Sequence, residues 1–376
     1  MVYSEPTANN FCPLPFTGLF YQNNSASPCC AMKTDPATPN EYLASKETDK
    51  LRKDFTNGLK PERCNNCWIN ESNGLSSIRK HYSKQKRDLT KITHLELRES
   101  NLCNFSCRMC NPDNSVVIDR ESKSNPEIQS FFRPNNDLAT TDENWNQILE
   151  IVRGVESINL TGGEPMLMKR YYDLFDYMIS IGKNEDVFLN IFTNGSVYNP
   201  LFVEKILKFK NVRLTVSIDA VKKIAEYQRK GTNWSIVSSN ISKYMQLPID
   251  MGFHSTITAY SILGLSSLAD FFVDLHNSKH VAKSLTFVAH TIRNPKKLEF
   301  TNLNIDLRVM AYREVEAAIE KLLPYEIFKS YVTELSTLKS QLLVRKDCDY
   351  KSFVGITKTL DRIRNDNFEE VFGYKI

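Results

Sequence analysis

A chain of 376 residues has room for two or three domains, and its 41% hydrophobic and 24% charged content excludes fibrous, disordered and collagen-like classes. The 48 basic and 44 acidic residues leave a formal charge of +4, too slight to argue for a nucleic acid or a membrane as partner. Apolar stretches such as that around Tyr171 to Ile181 break well before the about 20 residues of a membrane span. The start MVYSEPTANNFC carries neither a basic nor an apolar signal region, so a cytoplasmic location is expected. Nine cysteines in a reducing compartment need a role other than disulfides.

Up to about residue 90 the only clear helical period runs from about Asn40 to Asn57, among turns, short strands and cysteines. This reads as a small domain stapled by metal rather than by a core. Cys64 and Cys67 form C-x2-C in PERCNNCW, a spacing that presents two sulfurs to one metal or cluster. Cys12 with the Cys29-Cys30 pair can complete a four-sulfur set.

From Ile92 apolar runs suited to parallel strands alternate with helix-period segments. The strands are expected at Ile92 to Leu97, Val155 to Leu160, Val187 to Phe192, Val212 to Ile218, Phe253 to Tyr260 and Leu285 to Ala289. The helices are expected at Glu143 to Val152, Lys169 to Ile181, Pro200 to Lys208, Trp234 to Met245 and Leu265 to Asn277. Such βα repeats with right-handed crossovers predict an α/β fold, a partial (βα)6 parallel barrel with function at the C-terminal ends of its strands.

The loops at those ends carry the chemistry. After the first strand, NLCNFSCRMCNP places Cys103, Cys107 and Cys110 in C-x3-C-x2-C, flanked by polar residues that make poor packing and good ligation. After the second come Gly162, Gly163 and Glu164, paired glycines that allow a close ligand approach. The third strand exits through Asn194. The fourth alternates so that Ser217 and Asp219 share a side, a hydroxyl and a carboxylate suited to a ribose diol. Arg229 offers a fork for a carboxylate. Tyr260 and His290 are further candidates for substrate contact or proton donation. Residues 306 to 342 and 351 to 367 read as helices, and Cys348 as a small buried residue.

These residues resemble the radical S-adenosylmethionine (SAM) superfamily over roughly Ile92 to Ala289. Met109 stands where that superfamily usually has an aromatic residue. The resemblance implies that Cys103, Cys107 and Cys110 hold three irons of a 4Fe–4S cluster, leaving the fourth open to the amino and carboxylate groups of SAM. Reductive cleavage of SAM would then give a 5′-deoxyadenosyl radical that abstracts hydrogen from substrate. It further implies that Gly162, Gly163 and Glu164 meet the methionyl amino group, Ser217 and Asp219 the ribose, Arg229 the methionyl carboxylate, with Asn194 a neighbour.

The first block, with FCPLPF, SPCC and GLKPERCNNCWINESNGLSSIRK, resembles the SPASM/twitch auxiliary-cluster domain. Here it precedes the barrel, as in a subgroup whose tail TLDRIRNDNFEEVFGY also resembles. By that resemblance Cys12, Cys64, Cys67 and one of Cys29 or Cys30 hold a second, closed 4Fe–4S cluster, with Cys29 favoured because it follows proline. The expected division is 1–90 auxiliary domain, 91–300 partial barrel and 301–376 helical extension. The function it implies is hydrogen abstraction from a peptide, giving oxidation or crosslinking, with a flavodoxin or ferredoxin as electron donor. The alternatives are dehydrogenation or epimerisation of a sugar or small polyol, a barrel that binds SAM without cleaving it, and a non-catalytic zinc-binding interaction protein.

Overall fold

The computed structural model describes residues 10–85, 87–132, 140–292, 294–344 and 348–376. Its strands in chain order are β1 (Gly18–Gln22), β2 (Ser25–Ser27), β3 (Asp35–Pro36), β4 (His94–Arg98), β5 (Ser106–Cys107), β6 (Ser157–Leu160), β7 (Phe188–Thr193), β8 (Asn211–Ser217), β9 (Arg229–Lys230), β10 (Asp250–Ile257) and β11 (Ser284–Thr291). The expected parallel strands are β4, β6, β7, β8, β10 and β11, and helices run Asp142–Val152, Lys169–Ser180, Pro200–Ile206, Trp234–Tyr244 and Leu265–Asn277. The fold is α/β with parallel strands in open sheets and a helical C-terminal region. The chain divides into two compact units, one made of Met1–Asn101, Asn136–Ile191 and Pro200–Val212, the other of Leu102–Asn135, Phe192–Asn199 and Arg213–Ile376.

In the first unit β4 pairs in parallel with β6, and β6 with β7. The N-terminal block joins the same array, because β1 runs parallel to β4 from Gly18 opposite His94 to Gln22 opposite Arg98. Leu19, Phe20 and Tyr21 are all buried, so both faces of β1 are covered, as a parallel strand requires. The block also departs from the expected near-absence of a core. Cys12, Leu14, Phe16, Met32, Leu51 and Phe55 form a buried cluster with Trp68 and Ile78 against it. Helices Asn65–Ser72 and Ile78–Ser83 join the expected Lys46–Thr56. No sequence window reveals this core because its members come from separate short segments and meet only in space. Local signals still set the ends: Ser45 and Ser77 cap their helices by accepting from the Thr48 and Lys80 amides.

In the second unit β10 lies between β8 and β11, parallel to both. The expected helix over 306–342 is two helices, Ile305–Leu322 and Lys329–Leu343, since Pro324 cannot continue the first. Helices Tyr350–Arg364 and Phe368–Phe372 follow, the former ended by Asn365 in the left-handed conformation at φ 51°. Cys348 is exposed, not buried. It stands directly before Asp349, which caps the helix by accepting from Ser352 N. Among the described residues no helix is long and apolar enough to cross a membrane.

Candidate functional site

The cysteine loop of the second unit is pinned by a short antiparallel pairing of β5 with β9, Ser106 opposite Lys230 and Cys107 opposite Arg229. Arg108 N extends it by donating to Gln228 O at 2.8 Å. Gly231 ends the pairing at φ 106°, where a Cβ would lie 2.9 Å from the Phe105 ring and 3.0 Å from Asn104 O. Only glycine meets both the conformation and the close approach. On the loop's other flank Asn104 donates to Ser196 Oγ and accepts from Asn194 Nδ2, each at 2.9 Å. Asn194 in turn accepts from Ser196 N at 2.8 Å.

Cys107 is buried, with Cys103 and Cys110 half-buried. Burial is the main force pushing the Cys107 thiol above its ordinary range; Arg229 pulls it down, and Cys110, Cys103 and Asp219 push it further up. Cys107 thus shares one electrostatic environment with Cys103, Cys110, Arg229 and Asp219. Arg229 is itself held in the charged form: burial opposes its charge, and Asp219 together with Cys107 and Cys110 outweighs that.

Asp219 is the hub. It is 2% exposed and accepts from Arg229 Nε at 2.7 Å, Arg229 Nη2 at 3.0 Å, Gln228 Nε2 at 2.7 Å and Thr256 N at 2.8 Å. Sequence reasoning found Asp219 and Arg229 but set them against separate parts of a ligand, whereas each is first the other's partner. It missed Gln228, Thr256, Asn104 and Gly231; of these only the glycine, directly after Arg229-Lys230, left a signal. Ser217 ends β8 opposite His254. His254 and His290 rings lie 4.4 Å apart, with Thr256 Oγ1 at 3.3 Å from His290 Nε2. Tyr260 is fully buried and bonded to Thr357 Oγ1 at 2.8 Å, which makes it a packing residue.

The first unit holds the remaining candidates. Gly162 sits at φ 107°, and a Cβ there would meet Ser100 O at 3.1 Å. Gly163 N donates to Ser100 O at 3.4 Å, and buried Glu164 accepts from Met166 N at 3.2 Å. Cys12, Cys29, Cys64 and Cys67 line one small cavity with Leu14, Pro28, Met32, Phe55, Ile78 and Arg79. Burial pushes the Cys12 and Cys64 thiols up to about 12 and Cys29 higher, with the neighbouring sulfurs adding. Cys30 turns elsewhere: after burial, Glu96 is the strongest influence on its thiol, which rises well above the ordinary range. Among the described residues no group of three or more His, Cys, Asp or Glu is placed to hold a metal ion.

Residues 100–264 match the Radical SAM superfamily. The match takes in the cysteine loop and strands after it but less than half of the chain. The GTP 3′,8-cyclase of Staphylococcus haemolyticus is 25% identical over 190 residues, covering 49% of this chain and 51% of the cyclase. The radical SAM cyclopropyl synthase TigE of Paramaledivibacter caminithermalis is 25% identical over 172 residues, 43% of this chain and 35% of TigE. The chain thus spans about half or less of these relatives' length. Streptococcus suis SuiB bound to precursor peptide SuiA superposes at a TM-score of 0.43 and 17% identity, over 76% of this chain and 62% of SuiB. Radical SAM enzymes use a 4Fe–4S cluster and SAM, and Cys103, Cys107 and Cys110, electrostatically coupled through Cys107 and beside the half-buried Arg229, are thiol donors of the chemistry such a cluster takes.

Proposed function

We propose that the chain is a radical SAM enzyme with two 4Fe–4S clusters, acting on a peptide by oxidation or crosslinking. The observation that carries this is the pinning of Cys103, Cys107 and Cys110 beside the Arg229–Asp219 pair, inside the matching segment. When bound, the cluster and SAM would supply the electron transfer and the 5′-deoxyadenosyl radical. Three protein thiolates leave one iron for SAM; Ser217 offers a hydroxyl to the ribose, and Gly162, Gly163 and Glu164 a close backbone approach to the methionyl amino group. Asp219 and Arg229 already bond to one another, so either reaches SAM only by exchanging one of those bonds. Asn194 holds the loop through Asn104. Cys12, Cys29, Cys64 and Cys67 would hold the auxiliary cluster, with Arg79 offsetting charge and Cys30 outside the set.

Anaerobic reconstitution with iron and sulfide should give roughly eight irons per chain and a broad absorption near about 400 nm, as expected for two such clusters. Dithionite and SAM should then yield 5′-deoxyadenosine. A colourless zinc protein overturns the reading, and full iron without 5′-deoxyadenosine favours a barrel that binds SAM without cleaving it. Deuterium transfer into 5′-deoxyadenosine from candidate peptides tests the substrate class, with GTP as comparator because a relative's name includes it.

A further inference from the structure

Arg108 lies inside the C-x3-C-x2-C run, yet the ligand chemistry gives it no task. It is 0% exposed and heads the large side chains that are fully buried. Its guanidinium sits 3.7 Å from the Tyr227 ring centre, and Nε donates to Tyr227 O at 3.0 Å. Nη2 donates to Asp361 at 2.6 Å and to Asp366 at 2.9 Å. Tyr227 Oη donates to the same Asp361 oxygen at 2.7 Å, and Lys230 Nζ pairs with Asp366 at 2.5 Å. Asp361's other oxygen accepts from Phe368 N at 2.9 Å. Two cations thus meet two carboxylates, which is the condition for keeping a guanidinium out of water.

The acceptors belong to the C-terminal tail: Asp361 in helix Tyr350–Arg364, and Asp366 just past its left-handed cap. An independent tie comes from the same helix. Arg364 forks onto Glu121 at 2.9 and 2.6 Å, in helix Val116–Ser124 that follows the cysteine loop.

We propose that Arg108 is a positioning residue. Held by the tail through Asp361 and Asp366, it fixes the loop backbone so that Cys103, Cys107 and Cys110 are preset for their ligand. The tail is thereby a working part of that site. The proposal rests on reading the loop as ligand-holding, and its test separates the two.

In the reconstituted chain, Arg108→Gln should alter the electron paramagnetic resonance line of the reduced cluster that vanishes when the trio is changed to Ala, and leave the other line intact. Arg108→Lys, which keeps charge but loses the fork, should restore part of the native line. In the metal-free full chain, alkylation followed by mass spectrometry should show Cys103, Cys107 and Cys110 labelled severalfold faster in Arg108→Gln and in Asp361→Asn/Asp366→Asn. Cys12, Cys29, Cys64 and Cys67 should keep their rates. Unchanged trio labelling overturns the proposal, and so does a uniform rise in both sets with a lower melting temperature, which would mark plain unfolding. A native chain that binds no iron would defeat the functional reading while the labelling result still decides the role of Arg108.

Discussion

Cys12, Cys29, Cys64 and Cys67 share their cavity with Leu14, Pro28, Met32, Phe55 and Ile78, whereas Cys103, Cys107 and Cys110 sit on a loop held by Asn104, Arg229, Asp219 and Gln228. Around those four sulfurs the walls are apolar apart from Arg79, which is already paired with Glu71, so that set suits a ligand closed off by protein. A three-sulfur loop on a charged, hydrogen-bonded base offers donors and acceptors to a further polar molecule. The contrast matches the proposed roles, an inaccessible auxiliary cluster and an open catalytic one.

The sharpest break of that contrast is to remove the trio. Cys103→Ala/Cys107→Ala/Cys110→Ala should lose about half the iron and all 5′-deoxyadenosine formation, as expected for one of two clusters. A variant that kept every iron would show that the sets are not separate sites. Next in size, Cys29→Ala should lose about half the iron while Cys30→Ala keeps it, because Cys30 faces Glu96 and Cys29 the other sulfurs. Equal iron in the two variants would dissolve the four-sulfur assignment.

Asp219→Ala probes the charged base of the loop. It leaves Arg229, only 14% exposed, without its carboxylate, and breaking a buried pair from one side costs up to about 3–5 kcal/mol. Denaturant unfolding should show this, with Asp219→Asn milder because it can still accept from Gln228 and Thr256. A loss below about 1 kcal/mol, the scale of a surface pair, would mean that the pair is not a closed unit.

How legible these sites were follows from which interactions are local. The strands and helices of the βα repeats lie within a few residues of their expected places because alternation and helical period are properties of short windows. The cysteine trio and the Cys64–Cys67 pair were legible for the same reason, as spacing, whereas Cys12 and Cys29 were joined to that pair only by resemblance. Arg229 bonding to Asp219, and Arg108 to Asp361, join residues 10 and 253 positions apart, and no window contains the second pair. Cys348 failed for another reason. A lone cysteine is usually buried, but this one stands directly before a helix cap and is exposed.

The first unit carries an acid-sensitive support. His94 in β4 bonds Tyr82 Oη at 2.9 Å and Ser157 Oγ at 2.8 Å, joining the helix that carries Ile78 to β4 and β6. Burial, with Arg87 and His81 adding, lowers its pKa to about 3. The unfolded chain, with a histidine pKa of about 6.5, takes the proton first as pH falls. Stability is therefore complete above that value and drains away toward about 3, by about 2 kcal/mol between pH 7 and 5. Urea unfolding at both pH values should show His94→Asn losing less over this interval than the native chain. An equal loss would show that His94 titrates normally in the folded state.

The smallest effect is expected outside both sets. Cys348→Ser should leave iron, 5′-deoxyadenosine and melting temperature unchanged, since an exposed side chain before a helix cap has no packing to lose. In the native chain it should nonetheless be the first thiol alkylated, ahead of the seven proposed ligands, because it is exposed while they are buried or half-buried and, in a loaded chain, would be bonded to iron. Its labelling rate is thus the internal standard against which protection of the other two sets is read. If Cys107 or Cys12 reacted as fast as Cys348 in a fully loaded chain, neither would be ligated, and the contrast between an open and a closed cluster would fall with them.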